Sequence, residues 1–481
     1  MRCRIIPFVL PAFLFLWASC SDDDSFSTSP SHILSFSTDT VRLDTVFSNV
    51  PTATTVFRVY NRSGAGLRCT NVRLKQGNQT GFLVNVDGAN LGKTEGYRTS
   101  DVEIRNKDSI NVFVALTSPL SHQVNPKAVE DDLLFTLESG VEQKVYLQAW
   151  AWDATKLTHT TLTHDTTLSG PAPIIIYGGI TVGEGATLTI SPGTTLYFHD
   201  KAGIDVHGKL VCEGTPTANI VLRGDRLDKI FPYLPYDRIS GQWKGLRFHK
   251  TSYENRISYT DIHGANDAIV CDSSDASQLK LTLLSTTVHN SKGTGVLSYN
   301  SRIEVKNCQI TNALSACMAI YGGSALLLHN TIAQLYPFDS NRGSALFIGN
   351  RMGDKIFPLL DFRCINTLVT GYADDVIKGD DRKEGTPFNY RFENCLLRTP
   401  EVKDDATHYS HIIWENVSDT VSAGWKNFKE VDTRLFRYDF RLSKKSLAID
   451  KADATHSLPA DKDGQPRDGK PDIGCYEYKN D

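Results

Sequence analysis

Ile303-Glu304-Val305-Lys306-Asn307-Cys308-Gln309-Ile310 returns further along the chain as Leu326-Leu327-Leu328-His329-Asn330-Thr331-Ile332. Both runs read as a short strand, a polar turn and a second apolar stretch, and they superpose on their closing residues Ile310 and Ile332. Aligning the last apolar residue of each such unit gives Ile262, Val288, Ile310, Ile332, Leu368 and Leu396, at intervals of 26, 22, 22, 36 and 28 residues. A coil of three short parallel strands needs about 22 residues, so the regular intervals are single rungs and the longer ones carry insertions. A second ladder follows within each rung, through Ile269, Val296, Ile320, Phe347 or Ile348, and Ile377.

The same texture begins upstream. In Ile180-Thr181-Val182-Gly183-Glu184-Gly185-Ala186-Thr187-Leu188-Thr189-Ile190-Ser191-Pro192-Gly193-Thr194-Thr195-Leu196-Tyr197-Phe198, short strands alternate with Gly/Pro turns. Such strands cannot bury their apolar faces as isolated hairpins, but stacked coils can. Asn307, Asn330, Asn366 and Asn394 read as turn formers. No amphipathic helix of useful length interrupts the pattern, which argues against a leucine-rich or helical solenoid. Residues 156–430 are therefore predicted to form a right-handed parallel β-helix, the superfold also seen in pectate lyases.

Residues 32–155 carry period-two alternation instead, in Phe82-Val84-Val86, Ile110-Val112-Val114-Leu116 and Leu133-Phe135-Leu137. That pattern predicts an antiparallel β-sandwich with one face of each sheet buried. Leu43-Asp44-Thr45-Val46-Phe47 and Phe57-Arg58-Val59-Tyr60-Asn61 give this region a resemblance to the immunoglobulin-like domain that opens many Bacteroidota surface lipoproteins. At the other end, Asp439-Phe440-Arg441-Leu442 and Pro471-Asp472-Ile473-Gly474-Cys475-Tyr476-Glu477-Tyr478 resemble a closing motif of bacterial β-helix surface proteins, with Cys475 where alanine is usual. The resemblance implies that residues 431–481 cap the helix, with Ile473, Tyr476 and Tyr478 closing its open end. The fold class expected is thus all-β: sandwich, β-helix, closing segment.

At the N-terminus, Arg2 and Arg4 precede an apolar run from Ile5 to Ala18 that stops at Ser19-Cys20. Positive, apolar, small, cysteine is the order of an export signal, and Pro7 and Pro11 break a run already short for a membrane span. Ala18-Ser19-Cys20 resembles the lipobox of bacterial lipoproteins, with Trp17 where an aliphatic residue is usual. Residues 1–19 then form a signal peptide and Cys20 becomes the lipidated N-terminus. Ser21-Asp22-Asp23-Asp24 opens a polar tether over residues 20–31 and resembles the surface-export signal of Bacteroidota lipoproteins. The expectation is a lipid anchor in the outer membrane, with the folded domains facing the cell exterior.

With 22% charged and 40% hydrophobic residues, the 481-residue chain can support two or three packed domains. Its formal charge of −4 falls to about −6 without Arg2 and Arg4, and no basic stripe compensates, so a nucleic-acid partner is not expected. Ten cysteines become eight once Cys3 is cleaved and Cys20 lipidated, and they show no CxxC pair or zinc spacing. They read chiefly as small buried hydrophobes, and no metal is expected from them.

Two stretches invite chemistry. Asp374-Asp375, Lys378, Asp380-Asp381 and Arg382, with Arg363 on the preceding strand, place carboxylates and bases together as a polysaccharide lyase would require, with Ca²⁺ as its cofactor. An all-polar inter-rung loop has the same composition. Between Asp225 and Trp243, the rings of Phe231, Tyr233, Tyr236 and Trp243 lie among charges, which suits sugar rings and equally suits a loop folded over the helix flank. The function expected is a surface lipoprotein that binds glycan or another extracellular macromolecule without catalysis and without a cofactor. The alternatives are a polysaccharide lyase or glycoside hydrolase, and a structural or adhesive protein.

Overall fold

The structure is a computed structural model and describes residues 25–381 and 385–479. The expected signal peptide, Cys20 and Arg382 lie outside the described residues. The chain divides into two compact units: residues up to Leu43 with Asn49–Pro119 and Ala128–Ala149, and Asp44–Ser48 with Leu120–Lys127 and Trp150–Asp481.

The first unit is built on two sheets. One runs in the order Leu34–Phe36, Thr55–Asn61, Ser109–Leu116, Phe82–Val86, Ala89–Asn90. The other is led by Thr40–Phe47, Glu142–Trp152, Lys127–Leu137 and Leu67–Leu74. Alternate residues point inward, so Val112, Val114 and Leu116 are buried while Asn111 and Phe113 are exposed. Phe36 meets Phe135 of the opposite sheet with ring centroids 5.3 Å apart.

The second unit is a parallel β-helix whose strands stack in three sheets. Sheet A runs from Thr195–Phe198 through Ile220–Gly224, Thr260–His263, Thr287–Ser291, Gln309–Ala313, Thr331–Gln334 and Leu368–Gly371 to Leu396–Leu397 and Ile413–Trp414. Sheet B stacks Gly203–Val206, Gly245–Phe248, Ile269–Cys271, the first halves of Thr294–Lys306 and Ala316–Leu328, Ser344–Gly349 and Ile377–Asp380. Sheet C takes the second halves of those two long strands and continues through Leu359–Ile365 and Phe388–Glu393. Inside, Leu222, Ile262, Val288, Ile310, Ile332, Val369 and Leu397 form one fully buried column of sheet A. Each such side chain contributes about 1.5–3 kcal/mol through burial.

The register corrects both expected ladders. Ile332 pairs with Val369, and Leu368 points outward with Leu396. In sheet B, Val296 pairs with Met318, then Leu346, then Ile377, while Ile320 pairs with Ile348 one inward position later.

At the corner from sheet C to sheet A, one residue per rung takes a left-handed backbone: Tyr259, Ser285, Asn307, His329, Asn366, Asn394 and His411. Asparagine suits that conformation, which explains the asparagines read as turn formers. Asn330 is the exception. It sits one residue later, fully buried, where its side chain accepts from Cys308 N at 2.9 Å and donates to Val305 O at 2.9 Å.

The closing segment does not lie where the sequence placed it. Ile473, Cys475 and Tyr476 pack with Phe428, Phe440 and Leu442 on the outward-facing Leu368 and Leu396 of sheet A and on Leu335, just past the strand Thr331–Gln334. Polar ties reinforce this: Cys475 N donates to Thr331 Oγ1 at 3.1 Å and Tyr476 Oη to Gln309 Oε1 at 2.7 Å. The segment thus covers the flank of successive rungs. Aromatic side chains occupy the end of the helix interior instead, with Phe362, Phe392, Tyr409 and Trp414 in contact one after another. All eight described cysteines are free and buried, and even the adjacent Cys364 and Cys395 sulfurs are 3.9 Å apart.

Candidate functional site

On the outer face of sheet B, register sets aromatic side chains above one another. Tyr299 pairs with Tyr321 on the next rung, and their stacked rings are 5.6 Å apart. Phe347 follows on the third rung, 4.9 Å from Tyr321, and Phe357 lies 6.1 Å from Tyr299. Gly349 stands opposite Tyr321, where a Cβ would come within 2.9 Å of the Phe347 ring. All four rings are half-buried. Ion pairs bracket the strip: Arg247–Asp272 at 2.9 Å and Lys244–Asp205 at 2.7 Å on one side, Arg351–Asp380 at 2.9 Å and Lys378–Asp375 at 2.7 Å on the other.

The expected lyase residues are dispersed. Lys378 and Asp380 stand on sheet B at the end of the aromatic strip. Asp374 instead meets the largely buried Arg398 at 3.3 Å, and Asp381 accepts from Asn350 Nδ2 at 3.1 Å. Arg363 belongs to sheet C, paired with Asp361 at 3.3 Å. Among the described residues, each carboxylate of the group has a cationic or hydrogen-bonding partner, and Asp374, Asp375, Asp380 and Asp381 turn to different partners rather than to one common point.

Residues 225–243 form a strap over sheet A, and its rings separate. Trp243 is fully buried where the strap re-enters the helix, stacked on Phe198 at 4.2 Å with its indole N–H donating to His263 O at 2.8 Å. It is core, not ligand contact. Tyr236 is covered by the Arg226 guanidinium at 3.8 Å. Phe231 and Tyr233 remain exposed, stacked on each other at 5.6 Å across a small hairpin.

Beneath the strap lies a constellation that the sequence reading missed. Asp261 and His263 point outward from one rung of sheet A, and His289 pairs with His263 on the next. Asp261 Oδ1 is 2.7 Å from His263 Nδ1 and 3.2 Å from His289 Nε2. His263 Nε2 is 2.9 Å from Asp237 of the strap, and Arg223 pairs with that same Asp237 oxygen at 2.6 Å. The strap is held down by Gln242 N to Gly264 O at 2.7 Å, Arg238 to Leu435 O at 2.6 Å and the Ser240–Tyr336 hydroxyl pair at 2.7 Å.

Burial alone would lower the His263 pKa, but the charge of Asp261 and the hydrogen bonds to Asp237 and Asp261 outweigh it and raise the group to about 9. Burial opposes ionisation of Asp261 too, yet His289 and His263 hold its carboxyl well below the ordinary range. Asp237 is brought to about 2 against its own desolvation, chiefly by His263 and then Arg223. The Asp261 side chain nevertheless keeps 38% of its surface accessible, so the cluster is deeply set but open. The sequence held the signal for these groupings: His263 to His289 spans 26 residues and Tyr299 to Tyr321 spans 22, the same intervals as the interior ladder.

Residues 174–334 match the family model described as "Right handed beta helix region". The chain is an all-β protein carrying a right-handed β-helix. Among solved structures it is similar to the catalytic unit of the thermostable GH87 alpha-1,3-glucanase from Streptomyces thermodiastaticus strain HF3-3, with 10% identity, 75% of this chain and 89% of that chain covered, and a TM-score of 0.27. A superposition that loose carries nothing about chemistry. No curated protein matches the sequence.

Proposed function

We propose that the protein is a lipid-anchored lipoprotein of the outer-membrane surface that binds glycan on sheet B of its β-helix without transforming it. The observation that carries this reading is the strip of Tyr299, Tyr321 and Phe347, one ring per rung on a flat parallel sheet, with charged pairs at both ends. Half-buried aromatics packed on one another present a rigid apolar ridge with little side-chain entropy left to lose, against which the apolar faces of sugar rings can pack. The anchor and surface location rest on the residues around Cys20 alone.

A glycan array probed with the full chain in detergent, combined with a reducing-end-release assay, tests the reading. Binding without product is expected, weakened about tenfold or more by Tyr321→Ala, as for a buried aromatic anchor. Product release would replace it with the lyase or hydrolase reading. Binding that Tyr299→Ala and Tyr321→Ala leave intact would remove sheet B from the account.

A further inference from the structure

We infer that Asp261, His263 and His289 form a binding site for a divalent transition-metal ion of the Zn²⁺ class, oriented by Asp237 and Arg223. The inference is independent of the glycan reading, since the cluster lies on sheet A and the aromatic strip on sheet B. One ligand atom from each of the three residues lies within 4.8 Å of the others. His263 Nδ1 and His289 Nε2 already converge on one oxygen, Asp261 Oδ1, at 2.7 and 3.2 Å. Ligand atoms around a tetrahedral ion with bonds of ~2.0–2.1 Å lie about 3.3 Å apart, so small side-chain rotations close the set once the ion displaces to solvent the proton that His263 Nδ1 shares with Asp261.

The ligand chemistry narrows the ion. Two imidazoles and one carboxylate suit Zn²⁺ and its neighbours in the transition series, whereas Ca²⁺ and Mg²⁺ call for oxygen alone. The remaining imidazole nitrogen supplies a separate argument. Metal-bound histidines are commonly held by a carboxylate on their other nitrogen, and Asp237 occupies that place on His263 Nε2 at 2.9 Å, itself pinned by Arg223 at 2.6 Å. Three protein ligands leave at least one position vacant on a tetrahedral ion, and the accessible side of Asp261 gives solvent or a small ligand a way to reach it. Register fixes His263 beside His289, and the strap brings in Asp237, so the set is preorganised by two different parts of the chain.

The test is equilibrium dialysis of the chelator-stripped full chain against Zn²⁺, with bound metal read by mass spectrometry. The wild type should hold about one more ion per chain than the His263→Gln/His289→Gln variant, and Asp237→Asn should weaken that ion about 10–100-fold while keeping its stoichiometry. His411→Gln, at a turn away from the cluster, serves as the histidine control and should change nothing. Equal uptake by wild type and double variant would overturn the proposal and leave the cluster an ion-pair network. Should the double variant misfold, Co²⁺ added to the wild type decides: a tetrahedral d–d absorption displaced by Zn²⁺ supports the site, and its absence overturns it.

Discussion

His329 shows how much a single turn position can be asked to do. It takes the left-handed corner conformation with φ 53°, and its ring is fully buried under the closing segment. Nδ1 is 3.2 Å from Gly474 O, and Nε2 is 3.1 Å from Asn366 Nδ2. Nδ1 must therefore carry the proton and Nε2 must accept, which requires a neutral ring. Burial, followed by the charge of Arg467, pushes its pKa from 6.5 down to about 3. The unfolded chain takes up this proton below pH 6.5 and the folded chain does not, so stability is lost as pH falls from 6.5 toward 3. Asp472, raised by burial to about 6, has the opposite sign: its contribution is full below its ordinary 3.8 and is lost as pH rises through 6. Asparagine tolerates the corner and does not titrate. The stability of His329→Asn relative to wild type should rise by on the order of 3 kcal/mol between pH 6.5 and 4, read from denaturant midpoints at each pH. Because Asp472 is common to both proteins, it cancels from the difference. A flat difference would mean that the ring is charged in the folded state.

A strand in this molecule is specified by what covers each of its faces, and that is where the sequence was readable and where it was not. Most of the interior ladder of sheet A, from Ile262 to Ile332, could be aligned because the outward neighbours Asp261, Thr287 and Gln309 are polar. At Leu368–Gly371 the alternation disappears, since Leu368 faces the closing segment and Val369 the interior, and both are fully buried. In sheet B the slip of two residues from Met318 to Ile320 preserves the inward face, so an apolar pattern of period two cannot detect it. The cluster of Asp261, His263 and His289 was legible only through rung intervals, because His289 joins the Asp261 and His263 pair across a rung, 26 residues further along. Glycine marks a stricter local demand at the start of Gly245–Phe248. Gly245 has φ 104°, and a Cβ there would stand 1.8 Å from Asp267 O of the next rung. Gly245→Ala should cost more than about 2 kcal/mol, through strain and the backbone shift together. Gly353→Ala, at φ 58° with nothing within 4 Å, should cost about 1 kcal/mol. Thermal melting of the two variants side by side separates the effects, and equal losses would show that the rung contact adds nothing to the backbone term.

At the scale of the second unit, a β-helix is quasi-one-dimensional, with each rung stabilised mainly by its neighbours, so anything lying across several rungs ties them together. The closing segment does this along the side of the helix. Its resemblance to a terminal motif was readable, but the surface it meets was not, because that surface exists only after the rungs have stacked. Asn307 Nδ2 donates to Ala460 O at 2.7 Å, Asn366 Nδ2 to Asp453 O at 3.0 Å, and Arg467 to Asn307 Oδ1 at 3.1 Å, so three polar ties reach two separate corners. Between them, Leu335, Leu368 and Leu396 are sealed under Phe428, Phe440 and Ile473. The last rung retains a separate anchor before this segment, since the fully buried Glu415 accepts from Thr370 Oγ1 at 2.9 Å and from Gly424 N at 3.1 Å. Truncation after Asn427 should therefore leave the stack of rungs intact but uncover a row of apolar side chains on sheet A. An exposed apolar face on a parallel sheet promotes association, so the truncated chain should bind a hydrophobic dye, self-associate with increasing concentration and melt at a lower temperature than the full chain. Sedimentation and melting curves at several concentrations check this. A monomeric truncated chain with an unchanged melting temperature would mean that the rungs need no support from their flank.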